Sequence, residues 1–551
     1  MVILGVADGP DSGAALLVDD RVVALEEQER HDQVPRSRAF PWQAIEAVLR
    51  QGGLGMRDVD LIAVAGRFTP PLIVRRMPSL SGVAGQNPFS TAADLAIYFQ
   101  AALRQSGVGA MEAERASAWL ERRFRERGFQ PQRVVLVDLH KALAEAVYRC
   151  QPDDQLAVIT LHPMGDGVVS AAYRGKAGQL DKVWEQRGFN ALHLHLARCA
   201  RALRLEPLVD DDRLFGLAAA GTPQPELVAL LSRQLAAKGP RLECADPLQT
   251  GPKAEAVYRA LGEARREDAA ASVLANLVTT VTALVRHHAS ALGCRSVGLG
   301  GALFENPRLI GAVAELDGID RVWVHPTPGF ASLPTGAAIT LGGAAPRPLV
   351  GPGLGAEVDA TACARALAAA GLAAGAEVPL DAALAAGPVC RFVGRSGFGR
   401  FGLGTRTVLV RADQAAEVAA VRRSLDRPEG EEVLVITTDA PVAHAAALAG
   451  PLALGVVAPR VDPTFAAAYP AVVAPDGRAP WHVVRESEDP ELHAALTALA
   501  ARTGCRALAA FPLATGREPA VSRPSDAIRV WRALGRGTLR LGPLTVAHRR
   551  G

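Results

Sequence analysis

Short apolar runs separated by turn residues open the chain. Val2–Ala7, 14–18 and 22–25 have the length and composition of β-strands, and Asp19-Asp20 predicts a hairpin turn between the last two. The same order of strand, glycine turn and strand recurs at 156–161 and 168–173. Because helical spacing follows both copies, the pattern predicts a duplicated α/β architecture.

Longer periodic segments alternate with strands over the rest of the first 340 residues. The spacing of apolar residues predicts helices at 40–51, 141–148 and 269–292. Short buried runs predict strands at Leu61–Ala65, 134–137 and 296–299.

A stretch rich in glycine and proline at 341–355 predicts a linker. Beyond it, runs at 389–393, 408–410 and 433–436 predict a second, strand-rich unit. We therefore predict an N-terminal domain at 1–345, a linker at 346–375 and a C-terminal domain at 376–551.

Composition narrows the class of protein. Of 551 residues, 49% are hydrophobic and 21% are charged, and the formal net charge is only +3. This balance is typical of a globular protein, and it disfavours nucleic acid as a partner because no dense Lys/Arg run is present. The apolar stretches are short, and the first residues have no basic region before an apolar core, so we expect a cytoplasmic protein without a membrane partner.

The segment 394–409 carries the most specific pattern. It reads G-R-S-G-F-G-R-F-G-L-G-T-R-T-V-L and resembles the run G-R-M-E-F-G-P-R-A-L-G-N-R-S-I-L of the ATP-dependent O-carbamoyltransferases, the nodulation and antibiotic-tailoring type. Gly397 stands where that family has glutamate. Phe401 stands where it has the first inner arginine, and Arg400 comes one place too early.

This resemblance implies an actin-fold, sugar-kinase-like transferase domain followed by an α+β YrdC-like domain. In the family, the YrdC-like domain makes carbamoyladenylate from carbamoyl phosphate and ATP, and the actin-fold domain passes the carbamoyl group to a hydroxyl. The transfer uses a metal held by two histidines at i and i+4 of a helix, together with aspartates. That spacing places both imidazoles on one helical face.

The metal-binding motifs are altered in this chain. The segment 138–144 reads D-L-H-K-A-L-A, so Leu139 and Leu143 occupy the ligand positions and only the middle histidine, His140, remains. Phe330 stands where the family has a metal-binding aspartate. The resemblance therefore predicts no bound metal. Its candidate catalytic residues are His140 and Asp11, the latter from the family's H-D-S-A-A-A-L run.

The roles of two further groups of residues in the N-terminal domain stay open. His162 could replace a lost ligand beside His140, with support from Asp166, or both could be satisfied polar residues. Gly300 and Gly301 follow a strand and are candidates for nucleotide binding, because glycine lets backbone N–H groups approach a phosphate. A tight turn from strand to helix would explain these two glycines equally well.

In the C-terminal domain, arginines match family positions expected to bind carbamoyl phosphate and ATP. They are Arg395, Arg406, Arg423 and Arg427. The family's lysine is replaced by Val421, and its N-T-S-F-N run has become the apolar segment 510–514. The flanking G-E-P and P-x-D-A patterns persist at 518–527, which argues against a misalignment.

The leading hypothesis is a catalytically degenerate carbamoyltransferase homologue. It would act as a structural or regulatory subunit, in a homodimer or a heterodimer with a carbamoyltransferase-family protein or another pathway enzyme. One alternative is an active O-carbamoyltransferase with a rebuilt site that uses ATP and carbamoyl phosphate. Another is a sensor that binds a nucleotide or metabolite without turnover.

Overall fold

The computed structural model describes residues 1–77, 108–188, 190–206, 211–246, 251–343, 349, 353–397, 399, 401–428 and 430–548. The chain divides into two compact units. Unit 1 comprises Met1–Gln28 and Arg38–Pro348, and unit 2 comprises Glu29–Ser37 and Leu349–Gly551. The predicted linker 346–375 contains the helix Ala360–Ala369, while residues 344–348 and 350–352 lie outside the described part of the chain.

The first sheet of unit 1 has five strands: β1 (Val2–Ala7), β2 (Gly13–Val18), β3 (Arg21–Glu27), β4 (Leu61–Ala65) and β5 (Arg133–Val137). Their order is β3-β2-β1-β4-β5. The pairs β1–β2 and β2–β3 are antiparallel, whereas β1–β4 and β4–β5 are parallel. The predicted hairpin start and the two later strands are confirmed.

Seven further strands follow in unit 1: β6 (Leu156–Gly165), β7 (Val168–Lys176), β8 (Gln179–Arg187), β9 (Leu235–Lys238), β10 (Arg241–Cys244), β11 (Ser296–Gly300) and β12 (Arg321–Val324). Five of them form a second sheet in the order β12-β11-β6-β7-β8, and β9 pairs with β10. Strand β6 is antiparallel to β7 and parallel to β11. The order and directions match those of the first sheet.

The helices in the described part of unit 1 cover and connect these sheets. Their bounds are Trp42–Gln51, Leu72–Arg76, Val108–Glu126, Leu139–Arg149, Leu192–Ala202, Asp211–Ala219, Pro225–Gln234, Pro252–Glu263, Arg266–Leu292, Pro307–Ala314 and Leu333–Gly342, with 3₁₀ turns at Met56–Asp58, Ala302–Glu305 and Phe330–Ser332. The last helix packs closely on the helix Leu139–Arg149. A Cβ on Gly336 would lie only 1.8 Å from the Ala142 carbonyl oxygen, so only glycine allows this approach. The three predicted helices are confirmed.

One helix, Arg266–Leu292, is long and apolar enough to cross a bilayer by length and composition. In the most apolar window, 61% of it is buried inside the protein. This burial is that of a core helix, because an apolar helix needs no lipid when the surrounding elements cover it.

Unit 2 is built on one mixed sheet of seven strands: β13 (Val389–Phe392), β14 (Arg406–Arg411), β15 (Leu434–Thr437), β16 (Trp481–Val483), β17 (Leu508–Pro512), β18 (Thr538–Leu541) and β19 (Leu544–Ala547). The order is β16-β15-β17-β14-β13-β18-β19. Its helices span Glu29–Asp32, Ala360–Ala369, Leu380–Ala386, Ala415–Ser424, Ala449–Ala453, Pro463–Ala468, Pro490–Thr503 and Pro524–Leu534, and Gly402–Gly404 forms a 3₁₀ turn. The three predicted strand runs all lie in this sheet.

The segment Glu29–Ser37 belongs to unit 2 although it follows β3 in the chain. The Arg30 side chain is buried, and its Nη2 donates to the carbonyl oxygen of Gly399 at 3.0 Å. The Arg30 carbonyl accepts from the Ser522 hydroxyl, and the His31 carbonyl accepts from Arg523 at 3.2 Å. The fold of unit 2 therefore includes residues from near the start of what the sequence predicts as the N-terminal domain.

Candidate functional site

The predicted site residues of unit 1 lie at strand ends. Asp11 is in the turn between β1 and β2, with a left-handed φ of 50°. His140 is in the first turn of the helix that follows β5. Gly300 ends β11, and a Cβ on it would lie 3.3 Å from the Leu143 carbonyl oxygen of that helix. The structure thus brings Gly300 beside the helix that carries His140.

Gly301 is held by close backbone contacts. Its φ is 111°, and a Cβ at this position would lie 2.0 Å from the Leu161 carbonyl oxygen. Its N–H donates to the Pro328 carbonyl at 2.7 Å. Only glycine fits here, so the tight turn that the sequence left open is present, and nucleotide binding by Gly300 and Gly301 stays a prediction.

The buried His140 ring has a partner at each nitrogen. Nε2 lies 3.0 Å from the Val168 carbonyl oxygen, to which it must donate, and Nδ1 lies 2.7 Å from the Thr160 hydroxyl, from which it accepts. Burial lowers the pKa of His140 to about 4. The imidazole is therefore neutral at pH 7, and its one lone pair is already used.

Apolar side chains fill the positions where the resemblance places metal ligands. Leu139, Leu143 and Phe330 are all buried and belong to one hydrophobic cluster with Ala302 and Leu333. The Leu139 side chain packs so closely on Gly165 that a Cβ there would lie 2.5 Å from Leu139 Cδ2. We call this group of Leu139, Leu143 and Phe330 the closed site.

His162 borders the closed site. Its ring meets the Phe330 ring edge-on at 4.3 Å and lies 6.2 Å from the His140 ring. Its Nδ1 accepts from the Ala302 N–H at 3.3 Å, while its Nε2 is buried without a partner. Burial places the pKa of His162 well below its ordinary value, so this side chain is a neutral core histidine.

The donors present do not fit the metal that the resemblance implies. In the described ranges, no three His, Cys, Asp or Glu side chains lie close enough together to hold a metal ion. His140 has no free lone pair, and leucine and phenylalanine supply no donor atom. A structural zinc or iron site needs three or four such donors.

Asp166 has a different role from the ligand that the sequence suggested. Its Oδ2 accepts from the backbone N–H groups of Arg67 at 3.0 Å and Leu139 at 2.9 Å, and its Oδ1 accepts from that of Phe68 at 2.8 Å. The Asp166 N–H donates to the Thr69 hydroxyl at 3.0 Å. The carboxylate therefore joins the loop after β4 to the start of the helix Leu139–Arg149.

Arg406 is the most buried of the four arginines predicted to bind phosphate. Its Nη1 donates to the carbonyl oxygens of Val393 at 2.6 Å and Thr405 at 3.0 Å, and its Nη2 to those of Ala356 and Gly394. The guanidinium also stacks on Phe392 at 4.2 Å. This arginine holds the glycine-rich loop after β13 to the start of β14.

The other three predicted arginines differ in exposure. Arg395 donates to the carbonyls of Leu354 and Gly355. Arg427 pairs with Glu431 and donates to the Gly516 carbonyl at 2.7 Å, whereas Arg423 is exposed on its helix. The four arginines are not presented to a ligand in the same way, and their role in binding carbamoyl phosphate stays a prediction.

Sequence reasoning missed a buried charge network in unit 2. Arg391 on β13 pairs with Asp489 at 2.7 Å and with Glu491 at 2.8 Å, and it donates to the Gly404 carbonyl at 2.8 Å. Arg540 on β18 also pairs with Glu491, at 3.1 Å. The available signal was a charged residue inside the apolar run of β13, which must find a counter-charge when it is buried.

Comparison with known proteins finds similarity in both sequence and structure. Residues 382–548 match the family model described as the carbamoyltransferase C-terminus. The nodulation protein NolNO of Sinorhizobium fredii is 24% identical over 456 residues, which cover 76% of this chain and 61% of that protein. An uncharacterised protein of Synechocystis sp. is 24% identical over 348 residues, which cover 60% of this chain and 55% of that protein.

These matches show a carbamoyltransferase resemblance at low identity. The chain spans only 61% and 55% of the length of the two relatives. Among solved structures, full-length HypF in its phosphate- and nucleotide-bound form is 11% identical with a TM-score of 0.32, over 62% of this chain and 46% of that one. A ROK family glucokinase from Streptomyces griseus with glucose and AMPPNP is 14% identical with a TM-score of 0.29, over 62% of this chain and 99% of that one.

Proposed function

We propose that this protein is a carbamoyltransferase-family member whose transferase site is closed, and that it serves as a structural or regulatory subunit. In this proposal the two similar sheets of unit 1 are the two halves of an actin-type duplication, and unit 2 is a YrdC-like domain. The partner would be an active carbamoyltransferase or another enzyme of the same pathway, in the cytoplasm.

The observation that carries the proposal is the packing of the closed site. Leu139, Leu143 and Phe330 share one buried cluster, so apolar side chains pack together at the positions where the resemblance places metal ligands. Filling such a space with apolar groups stabilises a fold, whereas a cavity left there would cost several kcal/mol in the manner of large-to-small core substitutions. The closed site has the packing of a core.

Unit 2 supports the same reading. The segment that replaces the family's N-T-S-F-N run forms the end of β17 and the residues after it, and Phe511, Leu513 and Ala514 are buried. A site for two phosphate-bearing substrates needs hydroxyl, amide and cationic donors. Three of the four matched arginines instead donate to backbone carbonyls or to a glutamate.

Turnover by the isolated protein is the first test. Purified protein is mixed with ATP and carbamoyl phosphate, and pyrophosphate release is measured with and without added Fe²⁺ or Zn²⁺. We expect background rates. Release that disappears in the Arg406→Ala variant would favour the active-enzyme alternative, and stabilisation by ATP without release would favour the sensor.

A second test restores histidines at the two positions where the resemblance places metal ligands. It asks whether the loss of these side chains is what prevents metal binding. Leu139→His together with Leu143→His restores two imidazoles at i and i+4, and Phe330→Asp adds a carboxylate. We expect this triple variant to bind Zn²⁺ and the natural protein to bind none above background. Leu139→His alone is the matched control, because one added imidazole cannot complete a site.

The second half of the proposal is that the protein associates with an enzyme as its structural or regulatory subunit. We expect the protein to co-purify with a carbamoyltransferase or pathway enzyme of its host and to form a complex of defined size with it. If the protein runs alone as a monomer, and its deletion leaves every carbamoylated product of the host unchanged, the subunit hypothesis fails.

A further inference from the structure

The segment Glu29–Ser37, called the strap below, is braced by its own hydrogen bonds. The Glu29 carboxylate accepts from the Arg36 N–H at 2.8 Å, and the Asp32 carboxylate accepts from the Ser37 hydroxyl at 2.6 Å. Arg36 also has a left-handed φ of 52°. A residue other than glycine keeps such a conformation only where its surroundings hold it. The strap therefore has a defined shape of its own.

The residue before the strap, Gln28, is fixed inside unit 1. Its N–H donates at 2.9 Å to the carbonyl of Ser12, in the turn that also carries Asp11. Its buried side chain donates from Nε2 to Gln43 Oε1 at 2.6 Å and accepts at Oε1 from the Ala44 N–H at 3.3 Å. Gln28 therefore ties the start of the strap to the turn between β1 and β2 and to the next helix.

The strap itself contacts two separate segments of unit 2. Arg30 Nη2 donates at 3.0 Å to the carbonyl of Gly399, in the glycine-rich loop after β13. The carbonyls of Arg30 and His31 accept from the side chains of Ser522 and Arg523, which lie just before the last helix. The Arg30 side chain is buried, and a buried guanidinium needs acceptors in fixed positions. The strap thus joins the glycine-rich loop to the start of that helix.

We propose that the strap is a conformational clamp, through which the turn between β1 and β2 in unit 1 sets the conformation of the glycine-rich loop in unit 2. Gln28 and Arg30 are two positions apart in the chain, and both are buried. Coupling between distant sites passes through contiguous hydrogen bonds and packed side chains of this kind. The inference goes beyond the proposed function, because the clamp acts on the loop whether or not the loop binds a substrate.

The alternative is that the strap only completes the packing of unit 2. Gln28 would then stabilise unit 1 and Arg30 would stabilise unit 2, and a change at one would leave the other unaffected. Mutations at independent sites have additive effects on free energy, whereas mutations at coupled sites do not. The two roles therefore differ in how the glycine-rich loop responds to a change made in unit 1.

The test measures hydrogen exchange in the whole chain. The reporters are peptides that contain the amides of Gly397 and Thr405, which donate to the Thr405 hydroxyl at 3.1 Å and to the Gly402 carbonyl at 2.9 Å. Gln28→Ala removes the side-chain bonds in unit 1 and keeps the Arg30 side chain. We expect this variant to raise the exchange rate of the reporters about threefold to tenfold, the effect of losing roughly one hydrogen bond.

Gln51→Ala is the matched control. Gln51 lies on the same helix as Gln43 and donates to the Glu26 side chain at 3.4 Å, and its removal should leave the reporters unchanged. Ser522→Ala acts on the clamp from unit 2, because it removes a donor to the Arg30 carbonyl. We expect it to raise the exchange of the reporters as well. In the double variant with Gln28→Ala, the rise should be smaller than the product of the two single effects.

Three results overturn the proposal: natural exchange of the reporters in Gln28→Ala, an equal rise in Gln51→Ala, or a double variant whose effect equals the product of the single ones. If Gln28→Ala folds poorly, the reverse experiment decides. Coupling between two sites is reciprocal, so Ser522→Ala should raise exchange at the amides of Gln28 and Ala44 in unit 1. Natural exchange rates there also overturn the proposal.

Discussion

The two units bury imidazoles and guanidinium groups in different proportions, although unit 1 also buries Arg75 and Arg308 and unit 2 also buries His482. Unit 1 buries neutral imidazoles, and burial lowers the pKa of His140 and of His325 to about 4. Unit 2 buries guanidinium groups, of which Arg391 and Arg406 are almost fully covered. A neutral imidazole needs no counter-charge and penalises proton uptake, whereas a guanidinium stays charged and must find acceptors. We therefore expect unit 1 to be the more sensitive to acid, and unit 2 to be the more sensitive to the loss of an ion-pair partner.

The first and largest expected effect is on acid stability. Since the folded pKa of His140 and of His325 is depressed below about 6.5, the stability they contribute is complete above that pH and is lost as the pH falls towards 4. A shift of this size corresponds to about 3 kcal/mol for each histidine. Among the described residues of unit 2, burial also lowers the pKa of His482 to about 4.

We therefore expect unit 1 to unfold at a higher pH than unit 2. Hydrogen exchange at a series of pH values resolves the two units by peptide. His140→Gln should make the unfolding of unit 1 less steep in pH, and His482→Gln should change only unit 2. If unit 2 unfolds at a higher pH than unit 1, the expected difference in acid stability between the units is wrong.

The second prediction breaks the charge network of unit 2. Arg391→Ala leaves the mostly buried Asp489 without its cation, whereas the half-exposed Glu491 keeps Arg540. Removal of one partner of a buried pair costs about 3–5 kcal/mol, and denaturant unfolding measures the loss. The exposed pair of Arg529 and Glu518 is the control, where Arg529→Ala should cost no more than about 1 kcal/mol. Equal costs would mean that the network does not hold unit 2 together.

The third prediction concerns the closed site. Leu143 is fully buried in the hydrophobic cluster, so Leu143→Ala should destabilise unit 1 by about 2–5 kcal/mol through lost contacts and a cavity. Ile73 is 54% exposed in the same unit, and Ile73→Ala should change the unfolding free energy by less than about 0.5 kcal/mol. A Leu143→Ala variant as stable as the natural protein would show that the closed site is not packed as a core.

The smallest expected effect separates two of the predicted arginines. Arg423 is exposed, so Arg423→Ala should leave the unfolding free energy within about 0.5 kcal/mol. Arg406→Ala removes four hydrogen bonds to backbone carbonyls and should be clearly destabilising. Calorimetric titration of the natural protein and of Arg423→Ala with carbamoyl phosphate then tests whether Arg423 contributes to binding. A loss of stability in Arg423→Ala comparable to that of Arg406→Ala would contradict this distinction.

The local pattern of apolar and turn residues was sufficient to predict many strands and helices. The bounds of β1 and β4 were predictable to the residue, because a buried run between turn residues has few other conformations. The segment Glu29–Ser37 was not predictable in this way. Its partners at Gly399, Ser522 and Arg523 are hundreds of residues away, and nothing in its own composition indicates which unit it joins.

For the candidate site too, the sequence predicted the identity of residues at particular positions but not their contacts. Alignment of motifs located Leu139, Leu143 and Phe330 as altered positions, but it could not show that they pack into one cluster. One alternative left open was that His162, with support from Asp166, replaces a lost ligand beside His140. The backbone amides that bind this carboxylate have no sequence signal, because every residue except proline carries one.

The sequence by itself determined the alternation of strands and helices, and it placed apolar residues where the resemblance has metal ligands. These are local properties that side-chain chemistry and periodicity express directly. Only the tertiary structure decided which groups meet. The Asp166 carboxylate reaches Phe68, 98 residues earlier, and Arg391 reaches Asp489, 98 residues later, because strand order and helix packing set such distances, and neighbouring residues do not.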